Sequence, residues 1–202
     1  MKIFKTFRRS KAIGHSLENN RGIVAMEGLF IMMVFLALAF GIVEFGSIIH
    51  AQTTVTHIAR EGGNLASRDY NAGEDLLDLL VSSSSSLDFS QNPGSYKMYL
   101  LSVDAGDATN NNPTCATISQ RGTLAGSHVV SPQTELHCGL TPELATYLTH
   151  DGTSVPIDRL TIVKVYYHHH PMTPLGGVLA ASMFGGSRHE NGDIILTSKS
   201  IF

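Results

Sequence analysis

Residues 28–43 form a run of sixteen residues without a single charge. Across residues 23–49, a stretch of 27 residues, the apolar character is broken only by Glu27, Glu44 and Ser47. A helix of this length is about 40 Å long, which exceeds the roughly 30 Å of a bilayer's hydrocarbon core. A soluble core helix rarely stays apolar on all sides for so long. The sequence therefore predicts one membrane-spanning helix near the N-terminus.

The charges are distributed unevenly about this helix. Residues 1–22 carry six Lys or Arg against one Glu, a net of +5, whereas residues 23–202 carry eight against sixteen Asp or Glu, a net of −8. Because basic flanks stay in the cytoplasm, we expect the N-terminus inside the cell and the acidic part on the outer face. An acidic domain also argues against nucleic-acid binding, which uses basic surfaces.

Glu27 lies inside the predicted span. A carboxylate at bilayer depth costs a few kcal/mol, so an intramembrane acid indicates a function. A second interpretation places Glu27 at the cytoplasmic edge, where its side chain reaches the headgroups near Arg21. Gly22 stands five residues before Glu27, a basic leader precedes both, and the apolar helix follows. This arrangement resembles the type IV prepilin signal, which is cut after the glycine and has a glutamate at position five of the mature chain.

Four further motifs narrow the resemblance. The chain contains Gly-Ile-Val-Glu-Phe-Gly at 41–46, Ala-Arg-Glu-Gly at 59–62, Val-Lys-Val-Tyr-Tyr at 163–167 and Pro-Met-Thr-Pro-Leu-Gly at 171–176. Together they resemble the TadE-like pseudopilin family of tight-adherence (Flp-type) pili. The likeness covers residues 21–68 well and 158–200 loosely. Gly28 departs from the family, which usually has Phe or Tyr after the signal glutamate.

The resemblance implies a minor pseudopilin that primes, caps or joins a pilus and so serves adhesion or secretion. A prepilin peptidase would cut between Gly22 and Ile23, and Glu27 of a neighbouring subunit would neutralise the new amine of Ile23. The other implied partners are pilins or pseudopilins, the assembly platform of the bacterial inner membrane, and the lipid bilayer. The resemblance implies no cofactor and no enzymatic activity. The main alternative is an unprocessed single-span scaffold or adhesin of the same apparatus.

Small residues in the span predict a packing face. Gly28, Gly41 and Gly46 allow a second helix to approach closely, and we group Glu44 and Phe45 with them as candidate assembly residues. The alternative is that glycine is simply common in membrane helices.

The predicted fold class is α+β. A long N-terminal transmembrane helix, like that of type IV pilins, precedes a small extracytoplasmic domain with an antiparallel β-sheet and short helices. The expected segments are a leader at 1–22, the transmembrane and extended helix at 23–68, and the α+β domain at 69–202. The helix should begin near Asn20 and kink or fray at Gly62-Gly63. The patterns predict strands at 96–103, 114–119, 129–130, 158–168 and 192–198, helices at 74–80 and 141–150 with a stop at Gly152, and an apolar helix or loop at 173–184.

Cys115 and Cys138 are the chain's two cysteines, and both follow the predicted span. In an oxidising compartment outside the membrane we expect them to pair. The alternative is two buried free thiols.

Three other patterns point elsewhere. Ala37-Leu38-Ala39 fits a secretory cleavage site, but the apolar residues after it make a poor mature start. Two imidazoles of His168-His169-His170 could hold Zn²⁺ or Cu²⁺ in a membrane-tethered metalloenzyme, yet no third ligand lies nearby in the sequence. Residues 104–107 form an acidic turn without the Asp-Gly-Asp pattern of a calcium loop. The sequence contains no catalytic motif that we recognise.

Overall fold

The computed structural model of the chain describes residues 14–68, 73–150, 157–173, 176 and 194–202. Side chains are described within these ranges from residue 22 onward, except at Ser85. The fold is α+β, as predicted: one long helix precedes a four-stranded antiparallel sheet and several short helices.

The long helix, α1 (Gly14–Ser67), has an exposed half and a packed half. Residues 22–40 are exposed throughout, and the most apolar window of the helix has a mean hydropathy of 2.5 with none of it buried. This part is long and apolar enough to cross a membrane. From Glu44 onward one side of the helix is buried, at Ile48, Ala51, Val55, Ile58, Ala59 and Ala66. Apolar residues three or four apart form a stripe that packs on a sheet, whereas the all-round apolar half has no single face to bury.

The sheet has the strand order β2-β1-β3-β4, and its pairings are all antiparallel. The strands are β1 (Tyr96–Asp104), β2 (Thr114–Arg121), β3 (Arg159–His169) and β4 (Ile194–Ile201). Four of the predicted strands are therefore confirmed, with bounds shifted by a few residues. The predicted strand at 129–130 is wrong, because this segment is a loop whose Val130 carbonyl accepts a hydrogen bond from Tyr166 Oη at 2.8 Å.

Alternation along β3 gives the sheet two apolar faces. Val163 and Val165 belong to the core shared with α1 and with α2 (Glu74–Ser83), whose predicted position is confirmed. Ile162 and Tyr166 point to the other face and join a second core with residues of α3 (Pro142–Leu148). Short 3-10 helices occupy Ser85–Leu87, Pro93–Ser95, Pro132–Thr134 and Leu136–Gly139. The sheet is thus a middle layer, with α1 resting on one side.

Two expectations about α1 are wrong. The helix begins at Gly14, before the expected start near Asn20, and it stays helical through Gly62 and Gly63 to Ser67. Tertiary packing explains the second difference: a methyl group at Gly62 would lie 2.6 Å from Leu80 Cδ1, and one at Gly63 would overlap the Phe202 ring. These glycines let neighbouring side chains reach the helix, and that packing outweighs their low helix propensity.

The third helix starts as predicted but ends early. Thr141 Oγ1 accepts a hydrogen bond from the Leu144 backbone N–H at 3.4 Å, and Pro142 occupies the first turn. The helix ends at Leu148 rather than near His150. The predicted stop at Gly152 lies outside the described residues, as do positions 192–193 and most of 173–184.

The predicted disulfide is confirmed. Cys115 on β2 is bonded to Cys138 in the Leu136–Gly139 turn, with their Cα atoms 6.0 Å apart. The alternative of two free thiols is excluded by this bond. The bridge fastens β2, at one edge of the sheet, to the loops that cover the face opposite α1.

Candidate functional site

Glu44 is the first buried residue among the side chains of α1 that the structure describes, and it is only 1% exposed. Its Oε2 accepts three hydrogen bonds, from the Met172 backbone N–H, the Thr173 backbone N–H and Thr173 Oγ1, each at 3.1 Å. Burial of a carboxylate is costly unless donors replace the lost water. Three donors converge on Oε2, whereas the buried Oε1 accepts no hydrogen bond from the described residues. We call Glu44, Ser47, His169, Met172 and Thr173 the junction cluster.

The chain after β3 is shaped to reach this carboxylate. Thr173 uses its hydroxyl twice, since Thr173 Oγ1 donates to Glu44 and also accepts from the Gly176 backbone N–H at 3.1 Å. Gly176 passes so close that an added Cβ would lie 2.6 Å from Glu44 Oε2. A side chain at position 176 would therefore collide with the carboxylate, which explains a glycine at this position.

His169, the last residue of β3, covers the other oxygen of Glu44. His169 Nε2 lies 3.8 Å from Glu44 Oε1 and 3.4 Å from Ser47 Oγ, and Ser47 Oγ donates to the Glu44 backbone carbonyl at 2.8 Å. Burial lowers the pKa of His169 below its ordinary value, and this outweighs the opposing attraction of Glu44. The imidazole is therefore held neutral beside the carboxylate at neutral pH.

The three consecutive histidines divide between two faces, as their strand positions predict. His169 enters the junction cluster, whereas the rings of His168 and His170 lie together on the other side with centroids 4.3 Å apart. Within the described residues, no group of three His, Cys, Asp or Glu side chains is arranged to hold a metal ion. The junction cluster offers hydrogen bonds and packing, which suits a structural clamp.

The predicted processing residues lie far from the junction cluster. Gly22, Ile23 and Glu27 are on the exposed half of α1, and Ile23 is 64% exposed. Glu27 and Glu44 are about 25 Å apart along the helix axis, at 1.5 Å per residue. The two acids of the apolar stretch therefore have separate surroundings.

The predicted packing residues differ in exposure. Gly28 and Gly46 are exposed, and an added Cβ at either position would meet no atom within 4 Å among the described residues. Gly41 and Phe45 are partly buried, and Glu44 is turned into the chain's own domain. The two exposed glycines leave room for an approaching helix, whereas Glu44 is already occupied.

The exposed part of α1 from Gly22 onward and the buried Glu44 lie within one segment that a family model matches. Residues 22–64 match the family model for TadE-like proteins. This match agrees with the resemblance carried by residues 41–46 and supports a part in a Tad pilus system. No curated protein and no solved structure matches the chain.

The TadE-like segment contains Glu44 and Ser47 but not the partners of Glu44, which lie more than a hundred residues later at Met172 and Thr173. Sequence reasoning noted both motifs, 41–46 and 171–176, without joining them. A usable signal was present, because Glu44 is an acid at the end of an apolar run and such an acid requires a donor partner. Applying that rule to Glu44 as well as to Glu27 would have prompted a search for the partner.

Proposed function

We propose that this chain is a minor pseudopilin of a Tad/Flp pilus system, cut after Gly22 and acting in pilus assembly as a primer, cap or incorporated subunit. One observation carries the proposal: residues 22–43 of α1 are exposed except for the partly buried Gly41 and are apolar except for Glu27, whereas the helix is packed on its own sheet from Glu44 onward. A pseudopilin needs both parts. The bare part is covered first by lipid and then by other helices, and the packed part holds the sheet domain on the helix. The TadE-like match over 22–64 supports the same role.

The bare part of α1 fits one bilayer. Residues 23–43 measure about 30 Å at 1.5 Å per residue, which is the thickness of the hydrocarbon core. The charge asymmetry supports a cytoplasmic N-terminus and an outer sheet domain in the bacterial inner membrane. The leader at 1–22, the helix at 23–68 and the domain at 69–202 would then occupy the cytoplasm, the membrane with its outer edge, and the periplasm.

Glu27 has a role available after cleavage. The residue is exposed and stands one helical turn after Ile23, so both face the same side of the helix. In apolar surroundings the free amine of Ile23 needs a counter-charge, and Glu27 of a neighbouring subunit provides one. A buried pair of this kind fixes the register between helices more surely than it adds stability. The prepilin peptidase and the inner-membrane assembly platform are the further proposed partners.

The deciding experiment is the N-terminal sequence and intact mass of the protein recovered from membranes of cells with a working pilus system. A chain that begins at Ile23 supports the proposal. Gly22→Leu should abolish this product, whereas Gly46→Leu should not, although both glycines are exposed positions of α1. A chain that keeps Met1 in the wild type contradicts processing.

The second candidate is an unprocessed membrane scaffold or adhesin. It is favoured by the continuity of α1, which is helical from Gly14 through Gly22 into the apolar half. A peptidase must open this helix to reach the bond after Gly22. Retention of the leader, together with normal pilus assembly by Glu27→Ala, would favour this candidate over the pseudopilin.

A further inference from the structure

Met172 is an apolar side chain that points into solvent from a firmly held backbone. The residue is 72% exposed, while its backbone N–H donates to the buried Glu44 carboxylate at 3.1 Å. Thr173 makes two more hydrogen bonds to the same oxygen. Met172 is therefore an exposed apolar side chain on a backbone that hydrogen bonds hold in place.

The hydrogen bond to Glu44 fixes where Met172 lies relative to the span. The bare part of α1 ends at Val43, and Glu44 is the next residue. Side chains of a helix tilt toward its N-terminus, which is here the side of the apolar half. The Glu44 carboxylate thus draws the 171–173 loop to the end of the bare segment. Met172 is held beside the helix at the level where it would leave the hydrocarbon.

We propose that the 171–173 loop is a second membrane contact, with the Met172 side chain entering the interfacial region of the outer leaflet. The inference rests on the proposed membrane span. The contact has an orienting effect: with α1 alone the sheet domain is free to tilt about the span, whereas two points of contact fix one face of the domain against the lipid. The expected occupant is the bilayer itself, because the loop is continuous with the lipid-exposed surface of α1.

The chain contains no Trp, so a single introduced Trp reports its own position without background. We would purify the full-length Met172→Trp chain into phosphatidylcholine vesicles and measure quenching by lipids brominated near the headgroup or near the chain end. Interfacial contact predicts strong quenching by the first lipid and weaker quenching by the second.

Leu136→Trp is the matched control. Leu136 is 81% exposed, so a Trp at this position is as free as one at Met172 to show the general preference of Trp for membrane interfaces. Leu136 belongs to the layer opposite α1, and its neighbour Glu135 pairs with Lys164, about 16 Å along β3 from His169. No quenching is expected there. Leu36→Trp, on the bare half of α1, should be quenched best by the lipid brominated near the chain end.

The three reporters separate the possible failures. If Leu36→Trp is quenched and Met172→Trp is not, the loop contact is overturned and the span stands. If Met172→Trp emits at short wavelength without quenching, a protein surface covers it instead, and the lipid contact is again overturned. If Leu36→Trp is not quenched, the proposed span fails and the inference fails with it. Quenching of Leu136→Trp equal to that of Met172→Trp would also overturn the contact, since it would be unspecific.

Discussion

Glu44 Oε2 lies 3.1 Å from the backbone nitrogen of Thr173, a residue 129 positions further along the chain. This hydrogen bond ties the end of the bare helix to the loop that follows β3. The apolar stripe of α1 holds the helix on the sheet, but a stripe alone allows sliding. A buried carboxylate with fixed donors permits one position, so the junction cluster sets the register between helix and sheet.

The Glu44 carboxylate should contribute measurably to stability. Glu44→Ala removes the shared acceptor of three part-buried hydrogen bonds, so the free energy of unfolding should fall by about 2–3 kcal/mol. Glu44→Gln keeps one carbonyl oxygen and should cost less than Glu44→Ala. Denaturant unfolding of the full chain in detergent measures both. Equal free energies of unfolding for the wild type and Glu44→Ala would show that the hydrogen bonds to Glu44 add no stability.

Stability should fall in mild acid because of His169. In the folded domain burial lowers the pKa of His169 below its ordinary 6.5, despite the opposing effect of Glu44, and His170 and His168 act in the same direction as burial. The unfolded chain therefore takes up the proton first, so the penalty is absent well above pH 6.5 and grows as the pH falls below it. His169→Gln should flatten this part of the profile.

Unfolding midpoints measured from about pH 8 to about pH 5 test the effect of His169 around its ordinary pKa. His57→Gln, which removes an exposed histidine of α1, is the control for the loss of one imidazole. An unchanged slope in His169→Gln would contradict the burial argument.

The junction cluster shows what sequence patterns leave out. Local periodicity correctly placed Leu160, Ile162, Val163 and Val165 on opposite faces of β3, because a strand's alternation is set by its own backbone. The disulfide was predictable from compartment alone. The pairing of Glu44 with Thr173 was not, since it depends on where two distant segments meet in the folded domain.

The errors of prediction share this cause. Gly62 and Gly63 are poor helix formers in isolation, but Leu80 and Phe202 pack over them and the helix continues. Val129 and Val130 have the composition of a strand, yet neither is in the sheet. In each case a tertiary contact outweighed a weak local preference.

Two glycines of α1 should respond in opposite ways to alanine. Gly62→Ala gains about 1 kcal/mol of helix propensity but forces a methyl group against the buried Leu80, which costs about 1–3 kcal/mol, so we expect a net loss. Gly46→Ala meets no described atom within 4 Å and should be neutral or stabilising in the isolated chain. Thermal unfolding in detergent compares them. Greater stability of Gly62→Ala would refute the close-packing explanation.

Reduction of the disulfide should destabilise the sheet domain. The bridge closes a loop with a sequence separation of 23, for which chain entropy gives about 3 kcal/mol. The double variant Cys115→Ser/Cys138→Ser should match the reduced wild type and should not respond to added reductant. The measurement is denaturant unfolding with and without reductant. A wild type insensitive to reductant would indicate that the bridge adds no stability.

Glu27→Ala should separate assembly from insertion. The side chain is exposed on the bare half of α1, so its removal disturbs no described contact of the fold. Membrane insertion and cleavage after Gly22 should persist, while incorporation into sheared pili, followed by immunoblot, should fall. Glu61→Ala removes another exposed acid of α1 and serves as the control. Normal incorporation of Glu27→Ala into pili would contradict the proposed pairing with the amine of Ile23.

The late position of β4 along the chain also determines when the core next to α1 can be completed during synthesis. Of the described strands β4 is made last, yet its residues Ile194 and Leu196 share a core with the packed half of α1, which is made first. While the ribosome is still adding residues between β3 and β4, the helix is already available to the membrane but its packed half lacks this cover. With the proposed membrane span, the helix can therefore enter lipid before the domain is complete. A subunit whose translation stops short of residue 194 would keep an uncovered apolar stripe that chaperones and proteases can recognise.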